Sequence, residues 1–321
     1  MSANRCASPW THDMARISYV VPVYNNSGSL HPTWQGIRDL YQRDLRDHEY
    51  EIIFVNDGSR DGSWNEMQEL AAADSRVRPF RFTRNFGQVA AIIAGYGKST
   101  GDAVINISAD LQDPVELTVQ MVRQWEAGFD VVIGHRNDRN DSLTSNLFSK
   151  IAYAILRGSN RNIPEGGFDF VLMSRRATET FLGYEGRNRY FQGDILWAGY
   201  KTALLPYARR KRTIGKSQYN FARKLKLFLD YVIDGSYLPI RLMSLTGATV
   251  SALGLLYAVV VIASWVLHTT PFPGWAPLMI VMLVIGGMIM LMLGVIGEYL
   301  WRILDEVKRK PMYIFEERPD A

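Results

Sequence analysis

The first half of the chain alternates short apolar runs with segments typical of helices. The apolar runs read ISYVVPV, YEIIFV, VRPFRF, AVINIS and DVVIG. Between them lie segments such as SWNEMQELAAAD and VELTVQMVRQWEAG. Strands that alternate with helices predict an α/β fold in which a mostly parallel sheet carries helices on both faces.

A cluster of polar residues follows each of the five predicted strands. The clusters read VPVYNN, VNDGSRDGS, TRNFGQ, SADLQDP and GHRNDRND. A single cluster of this composition is also typical of an ordinary turn. In parallel α/β sheets, however, ligands bind beyond the carboxyl ends of the strands. Five clusters at one edge therefore predict a cleft suited to a polar ligand that carries phosphate and to a divalent cation.

Several common site motifs are missing from the sequence. No G-x-G-x-x-G follows the first strand and no G-x-x-x-x-G-K-[ST] occurs, which argues against a dinucleotide-dependent oxidoreductase and a P-loop nucleotidase. No C-x-x-C or paired histidine spacing is present, which argues against zinc. A site with oxygen ligands for Mg²⁺ or Mn²⁺ remains.

Two long runs near the C-terminus, residues 242–266 and 275–297, contain no charged residue. Each is long enough to cross a bilayer as a helix, and we expect transmembrane helices at about 243–267 and 275–297. The preceding segment, residues 221–241, mixes basic with apolar residues and is expected to lie at the membrane interface. A soluble surface helix is the alternative for that segment.

The net charge of +4 suits either nucleic acid or an anionic membrane. Basic residues flank the hydrophobic pair, whereas its connection HTTPFPG contains no Lys or Arg. This favours a membrane over nucleic acid and predicts that both termini and the α/β domain are cytoplasmic, at the inner or plasma membrane. Cys6 is the single cysteine, so an intrachain disulfide is excluded. Residues 1–15 have no apolar core and are expected to form a loose tail, with Met14 as an alternative start.

The order of these motifs resembles the family 2 glycosyltransferases of the GT-A fold. The resemblance runs from VPVYN through VNDGSRDGS, RNFGQ, ADLQDP and RRKRTIGKSQY to GVIGEYLWRILDEVKRKPMY. Within the family it points to membrane-anchored polyprenyl-phosphate glycosyltransferases, such as dolichol-phosphate mannose synthase and the bactoprenol glucosyltransferases. It implies a GT-A domain at residues 16–220, a transmembrane hairpin at 242–298 and a cytoplasmic tail at 299–321.

The resemblance also implies a nucleotide-sugar site, with a UDP-sugar favoured as the donor. The pocket for the nucleotide base would be lined by Pro22, Tyr24 and Asn25. Asp57 would accept a hydrogen bond from the base. Arg84 and Gly87 would line the same cleft. Tyr24 could instead be an aromatic packed at a strand end.

In the family, the segment around ADLQDP is the D-x-D motif, which holds a divalent cation on the donor pyrophosphate. Ser108 stands where the first Asp is expected, which leaves Asp110 and Gln112 as the metal ligands, with Ser108 and Asp110 also lining the donor site. Asp113 is expected to cap a helix that begins near Pro114.

On the acceptor side, the resemblance assigns Arg209, Arg212 and Ser217 to the phosphate of a polyprenyl lipid, with Arg136 as a further partner. The basic residues at 209–212 could instead face anionic headgroups. Two carboxylates compete for the place nearest the reacting carbon. Asp169 lies in GGFDFVLMSRR and Asp194 in GDILWAGYK, and either could be a helix cap.

These features predict inverting transfer of one sugar from a nucleotide sugar to a polyprenyl phosphate. Relatives assemble as homo-oligomers through their spans, and small residues such as Gly247 and Ser251 would allow close helix packing. Two alternatives remain. A processive polysaccharide synthase normally carries Q-x-x-R-W, which YFQGDILW does not supply. A catalytically weak scaffold or lipid-binding relative would fit the missing aspartate at Ser108.

Overall fold

The computed structural model describes residues 14–110, 112–136, 168–186, 189–208, 238–267 and 276–316. The chain divides into two compact units. The first comprises Met1–Lys224 together with Pro311–Ala321, and the second comprises Leu225–Lys310. The end of the chain thus belongs to the first unit, which the sequence did not predict.

A seven-stranded mixed sheet forms the centre of the first unit. Its strand order is β3-β2-β1-β4-β6-β5-β7. Strand β6 runs antiparallel to both of its neighbours, whereas the other adjacent pairs are parallel. The strands are β1 (Arg16–Val23), β2 (Glu49–Asn56), β3 (Val77–Arg81), β4 (Ala103–Asn106), β5 (Val131–Arg136), β6 (Phe170–Ser174) and β7 (Thr202–Tyr207). The carboxyl ends of β1 to β5 consequently lie at one edge of the sheet.

Helices connect the strands and cover the sheet. They are α1 (Leu30–Arg43), α2 (Ser63–Ala73), α3 (Gln88–Lys98), α4 (Leu117–Glu126), α5 (Arg175–Leu182) and α6 (Phe191–Trp197). Helix α3 lies directly against β1, because a Cβ on Gly95 would come within 2.2 Å of the Val20 side chain. Tyr19 and Phe54 are fully buried in the core beneath these helices.

The α/β class and the five predicted strands are confirmed. Strands β6 and β7 were not predicted. Each is short, and β6 is buried along its whole length, so it lacks the apolar and polar alternation that marks a half-exposed strand.

The second unit contains two long helices, α7 (Leu238–Val266) and α8 (Ala276–Val307). They contain most of the two predicted spans. Within the described part of the chain, one segment, Val284–Val307, is long and apolar enough to cross a membrane, and none of its most apolar window is buried. The two-span topology stays a prediction. Residues 221–237 of the predicted interfacial segment lie outside the described residues, and residues 238–241 begin α7.

Candidate functional site

The loops after β1 and β2 are joined by hydrogen bonds. The backbone N–H of Asn25 donates to Ser59 Oγ at 3.0 Å, and that of Asn26 donates to Ser63 Oγ at 3.0 Å. In the other direction, the backbone N–H of Arg60 donates to Asn25 Oδ1 at 3.0 Å. Asn25 has a φ of 53°, a left-handed conformation that Asn tolerates better than most residues. Its side chain thus holds the neighbouring loop in place.

A buried carboxylate fastens the same loop to the start of α1. Glu66 Oε2 accepts from the backbone N–H of Gly28 at 2.7 Å, and Oε1 accepts from the N–H groups of Leu30 and His31 at 3.0 and 2.9 Å. These donors would otherwise lack partners at the helix N-terminus. Glu66 therefore fixes the loop between β1 and α1 through three hydrogen bonds. The sequence did not identify this residue.

Pro22 and Tyr24 also lie at this edge of the sheet. Pro22 is half-buried at the end of β1, and the Tyr24 side chain is 38% exposed just beyond it. The Tyr24 ring is therefore accessible to a ligand at this edge.

Asp57 connects the end of β2 to the loop after β3. It is 3% exposed, and its carboxylate accepts from the backbone N–H of Phe86 at 2.6 Å and from that of Gly87 at 3.0 Å. Burial raises the pKa of Asp57 to about 6, although the two N–H donors and nearby Arg84 act in the opposite direction. Arg84 lies with its guanidinium carbon 4.0 Å from the centre of the Phe86 ring. Asp57, Arg84 and Gly87 are thus brought together at this edge. Their role in nucleotide binding stays a prediction.

Glycine is required at the turn that follows Asp57. Gly58 has a φ of +68°, and an added Cβ would lie 2.5 Å from the backbone nitrogen of Asn85. The turn after β2 and the loop after β3 are therefore in direct backbone contact, which leaves no room for a side chain at position 58.

A buried amide fixes the end of β4. The Asn106 Oδ1 atom accepts from the Tyr96 hydroxyl at 2.7 Å, and its Nδ2 group donates to the backbone carbonyl of Asp169. Asn106 thereby attaches the beginning of β6 to the end of β4. The sequence did not identify it, because a single Asn inside an apolar run carries no distinctive pattern.

Ser108, Asp110 and Gln112 follow β4. Ser108 Oγ donates to Asp110 Oδ1 at 2.8 Å, and the backbone N–H of Gln112 donates to the same oxygen at 3.2 Å. Asp110 is buried and Gln112 is half-buried. Carboxylate, amide and hydroxyl oxygens suit a hard cation such as Mg²⁺ or Mn²⁺.

The described residues contain no group of three or more His, Cys, Asp or Glu side chains arranged to hold a metal ion. A cation at Asp110 would therefore complete its coordination with water and ligand phosphate, which is the usual mode for Mg²⁺. The residues present fit a cation of this kind.

Asp113 does not cap a helix, so that prediction is wrong. Helix α4 begins at Leu117, with Glu116 at the N-cap position. Asp113 Oδ1 accepts instead from the Tyr207 hydroxyl at 2.7 Å, and Oδ2 accepts from the Ser108 N–H at 3.4 Å. Asp113 thus connects β7 to the segment after β4.

Asp169 lies between the ends of two parallel strands. It directly precedes β6, whose residue Val171 pairs with Asn106 of β4 and with Ile133 of β5. The Asp169 side chain is exposed. Its backbone is fixed by Asn106 and, through the neighbouring Phe168 carbonyl, by Gln192 Nε2 at 2.8 Å.

Asp194 has a different environment. It lies in α6 and forms an ion pair with Arg189, which also donates to the backbone carbonyls of Tyr184 and Phe181 at 2.9 Å. Burial raises the pKa of Asp194, and the Arg189 guanidinium opposes that shift. This pair connects the end of α5 to α6.

The predicted acceptor residues are only partly described. Arg136 is the last residue of β5, where it pairs with Tyr207 of β7 at the same edge as the other predicted site residues. Arg209, Arg212 and Ser217 lie outside the described residues.

The chain is similar to several known proteins. The family described as glycosyl transferase family 2 matches residues 18–198. The chain is 35% identical to the SfII prophage-derived bactoprenol glucosyl transferase of Shigella flexneri over 307 residues, which cover 94% of this chain and 98% of the relative. It is also 35% identical to the uncharacterized glycosyltransferase YkcC of Bacillus subtilis over 302 residues, covering 94% and 93%. Among solved structures, it is similar to the mannosyltransferase PcManGT from Pyrobaculum calidifontis, with 18% identity, a TM-score of 0.48 and coverage of 70% and 66%.

Proposed function

The chain belongs to the family 2 glycosyltransferases, and we propose that it transfers a single sugar from a nucleotide sugar to a polyprenyl phosphate at the cytoplasmic face of a membrane. One observation carries the proposal. Similarity to a bactoprenol glucosyl transferase extends over 94% of this chain, so it includes both the polar sheet edge and most of the apolar C-terminal region.

On the donor side, we favour a UDP-sugar at the ends of β1 to β4. Asp57 Oδ2 accepts one backbone N–H, and this carboxylate would accept a further hydrogen bond from the base. The exposed Tyr24 ring and half-buried Pro22 would form the wall beside it. Ser108 and Asp110, at the end of the neighbouring β4, would lie along the pyrophosphate.

The transfer itself is a single displacement that inverts the anomeric carbon. An oxygen of the acceptor phosphate attacks this carbon, the bond from it to the nucleoside diphosphate breaks, and the electron pair leaves with the diphosphate. A divalent cation held by Asp110 and Gln112 would screen the charge that develops on the leaving diphosphate.

The acceptor needs little help from a base. A phosphate monoester has a second pKa of about 6 and is mostly ionised at neutral pH. The protein would instead position it, with Arg136, Arg209, Arg212 and Ser217 binding the phosphate.

Between the two candidate carboxylates, we assign Asp169 to the reacting centre. It lies between the end of β4, which leads to Asp110, and β5, which ends at Arg136. A carboxylate there would orient the reacting groups or balance charge near the anomeric carbon. Asp194 already forms an ion pair with Arg189, which supports a structural role.

The apolar C-terminal helices explain why a sugar-transfer domain would be tethered. A polyprenyl phosphate stays in the bilayer, and anchoring raises the effective concentration of the enzyme at its acceptor. We propose that α7 and α8 form the two spans, with both termini cytoplasmic, and that copies assemble through them.

A donor panel tests the proposal. The full-length protein, purified in detergent, is incubated with polyprenyl phosphate, Mg²⁺ and each of several radiolabelled nucleotide sugars, and label is measured in the organic extract. Label should enter the lipid from one donor, should fail to do so with chelator, and should fall strongly with Asp110→Asn. Full transfer in chelator would refute the metal assignment. Label in a water-insoluble polymer would favour the processive synthase, and absence of transfer from every donor would favour a scaffold.

A further inference from the structure

The end of the chain is paired with the edge strand of the sheet. Residues 311–316, here called the tail segment, follow α8 along the sequence and pack against β3. Phe315 forms an antiparallel bridge with Phe82. The Thr83 N–H donates to the Ile314 carbonyl at 3.0 Å, and the Glu316 N–H donates to the Arg81 carbonyl at 2.8 Å. The tail segment thus covers the outer edge where β3 ends.

Two aromatic side chains of the tail segment pack on Phe82. The Tyr313 ring is stacked on the Phe82 ring, with centroids 5.2 Å apart and planes at 18°. The Phe315 centroid lies 5.5 Å from that of Phe82. Phe82 is 1% exposed. The tail segment therefore contributes to burying this side chain.

From Phe82 the contacts continue to the donor site. The Phe86 ring meets the Phe82 ring edge to face, with centroids 5.5 Å apart. The backbone N–H of Phe86 then donates to Asp57. Tyr313, Phe82, Phe86 and Asp57 form a continuous series of contacts from the tail segment to the carboxylate that we place at the nucleotide base.

We propose that Tyr313 is a positioning residue for the nucleotide site, holding the 83–87 loop in the conformation in which Phe86 and Gly87 donate to Asp57. This inference rests on the proposed function for the role of Asp57 as a nucleotide ligand. The contact series from Tyr313 to Asp57 stands independently of it.

The loop itself explains why such support is needed. Thr83, Arg84 and Asn85 are exposed, whereas the preceding Phe82 ring is buried and packs against the Phe86 ring of the loop. Removing Tyr313 exposes one face of Phe82 and makes open conformations of the loop more populated. Only the closed fraction binds nucleotide, so the apparent affinity falls in proportion to that fraction. Turnover of nucleotide already bound remains unchanged, because binding restores the closed loop.

Four variants of the full-length protein separate this role from a general effect of the tail segment. Tyr313→Ala removes the stacked ring, whereas Tyr313→Phe retains it. Ile314→Ala is the matched control, because the Ile314 side chain is 49% exposed while its backbone carbonyl still accepts from Thr83. Tyr313→Leu keeps apolar volume without a ring and decides the question if Tyr313→Ala does not fold.

Two kinds of measurement are made on each variant, one of the loop and one of the donor site. Hydrogen exchange at the Phe86 and Gly87 amides, without nucleotide, reports loop opening directly. Calorimetry with UDP and Mg²⁺, together with kcat and KM for the nucleotide sugar, reports the donor site. For Tyr313→Ala we expect faster exchange and a rise in Kd and KM of about three- to tenfold, the effect of one aromatic contact, with kcat unchanged. Tyr313→Phe and Ile314→Ala should match the wild type.

The outcomes distinguish this inference from the proposed function. Unchanged exchange at Phe86 and Gly87 in Tyr313→Ala would overturn the positioning role, as would a loss confined to kcat or an equal effect of Ile314→Ala. If wild-type protein binds no UDP while exchange still responds to Tyr313, the nucleotide assignment fails and the contact series remains.

Discussion

The carboxylate of Asp57 accepts a hydrogen bond of 2.6 Å from the backbone N–H of Phe86. This contact joins the end of β2 to the loop after β3. It places a buried acidic group at the edge of the sheet where we propose that the nucleotide binds. Burial disfavours the ionised form of an acid, and backbone N–H donors favour it. The protonation of such an acid therefore depends on pH and on those donors.

The first prediction concerns pH. The pKa of Asp57 is raised to about 6 by burial, so the carboxylate is ionised above that pH and protonated below it. Because the base is proposed to donate to the ionised carboxylate, affinity should be highest well above pH 6 and should fall towards about tenfold for each pH unit below it. UDP-glucose is the suitable probe, because its phosphates do not titrate in this range. Calorimetry between pH 5 and 8 should show this fall in the wild type and a flat profile in Asp57→Asn. Equal slopes in both proteins would show that Asp57 does not bind the nucleotide base.

The second prediction concerns the turn after β2. Gly58→Ala places a Cβ at a φ of +68° and 2.5 Å from the Asn85 nitrogen, so the backbone must move. A left-handed conformation alone costs a residue other than glycine about 1–2 kcal/mol. We expect a lower melting temperature and at least about tenfold weaker UDP binding, which corresponds to about 1.4 kcal/mol. Gly36→Ala is the control, because its Cβ would make an ordinary contact of 3.6 Å with Val115. Wild-type affinity in Gly58→Ala would contradict the account.

The third prediction concerns the metal. The neutral hydroxyl of Ser108 donates to Asp110. The resemblance to the family implies a further carboxylate at this position. Ser108→Asp should lower the Mg²⁺ concentration that gives half-maximal activity, because ligand charge raises affinity for hard cations. Ser108→Ala should not lower it. An unchanged Mg²⁺ dependence in Ser108→Asp would place the cation elsewhere.

The fourth prediction separates the two candidate carboxylates. Asp169→Asn should lower kcat by at least about a hundredfold with little change in stability, because its side chain is exposed. Asp194→Asn should instead lower stability by about 2 kcal/mol, less than a fully buried pair because the Asp194 side chain is 26% exposed. Kinetics and thermal unfolding of both variants check this. The opposite pattern would assign the reacting centre to Asp194 and the structural role to Asp169.

Much of the catalytic domain was predictable because its signals are local. Five apolar runs gave the first five strands, and the polar clusters after them marked the edge where Asp57, Asp110 and Arg136 lie. Tyr24 and Gly87 were identified by resemblance, and the structure places both at that edge.

The remaining features depend on partners that are distant in sequence. Asp113 reads as a helix cap next to Pro114, yet its partner is Tyr207 of β7. Asn106 carries no local sequence signal, because its role depends on the hydrogen bond that it donates to the backbone carbonyl of Asp169. The stack of Tyr313 on Phe82 joins the tail segment to the edge of the sheet, and no local pattern indicates such a pairing.

The most direct test of the central claim is the mass of the lipid formed by the purified full-length protein from polyprenyl phosphate, Mg²⁺ and the donor identified by the panel. We predict a polyprenyl phosphate that carries one sugar, with nucleoside diphosphate released in equal amount. Unmodified lipid with a sugar polymer, or unmodified lipid with every donor, would contradict the claim.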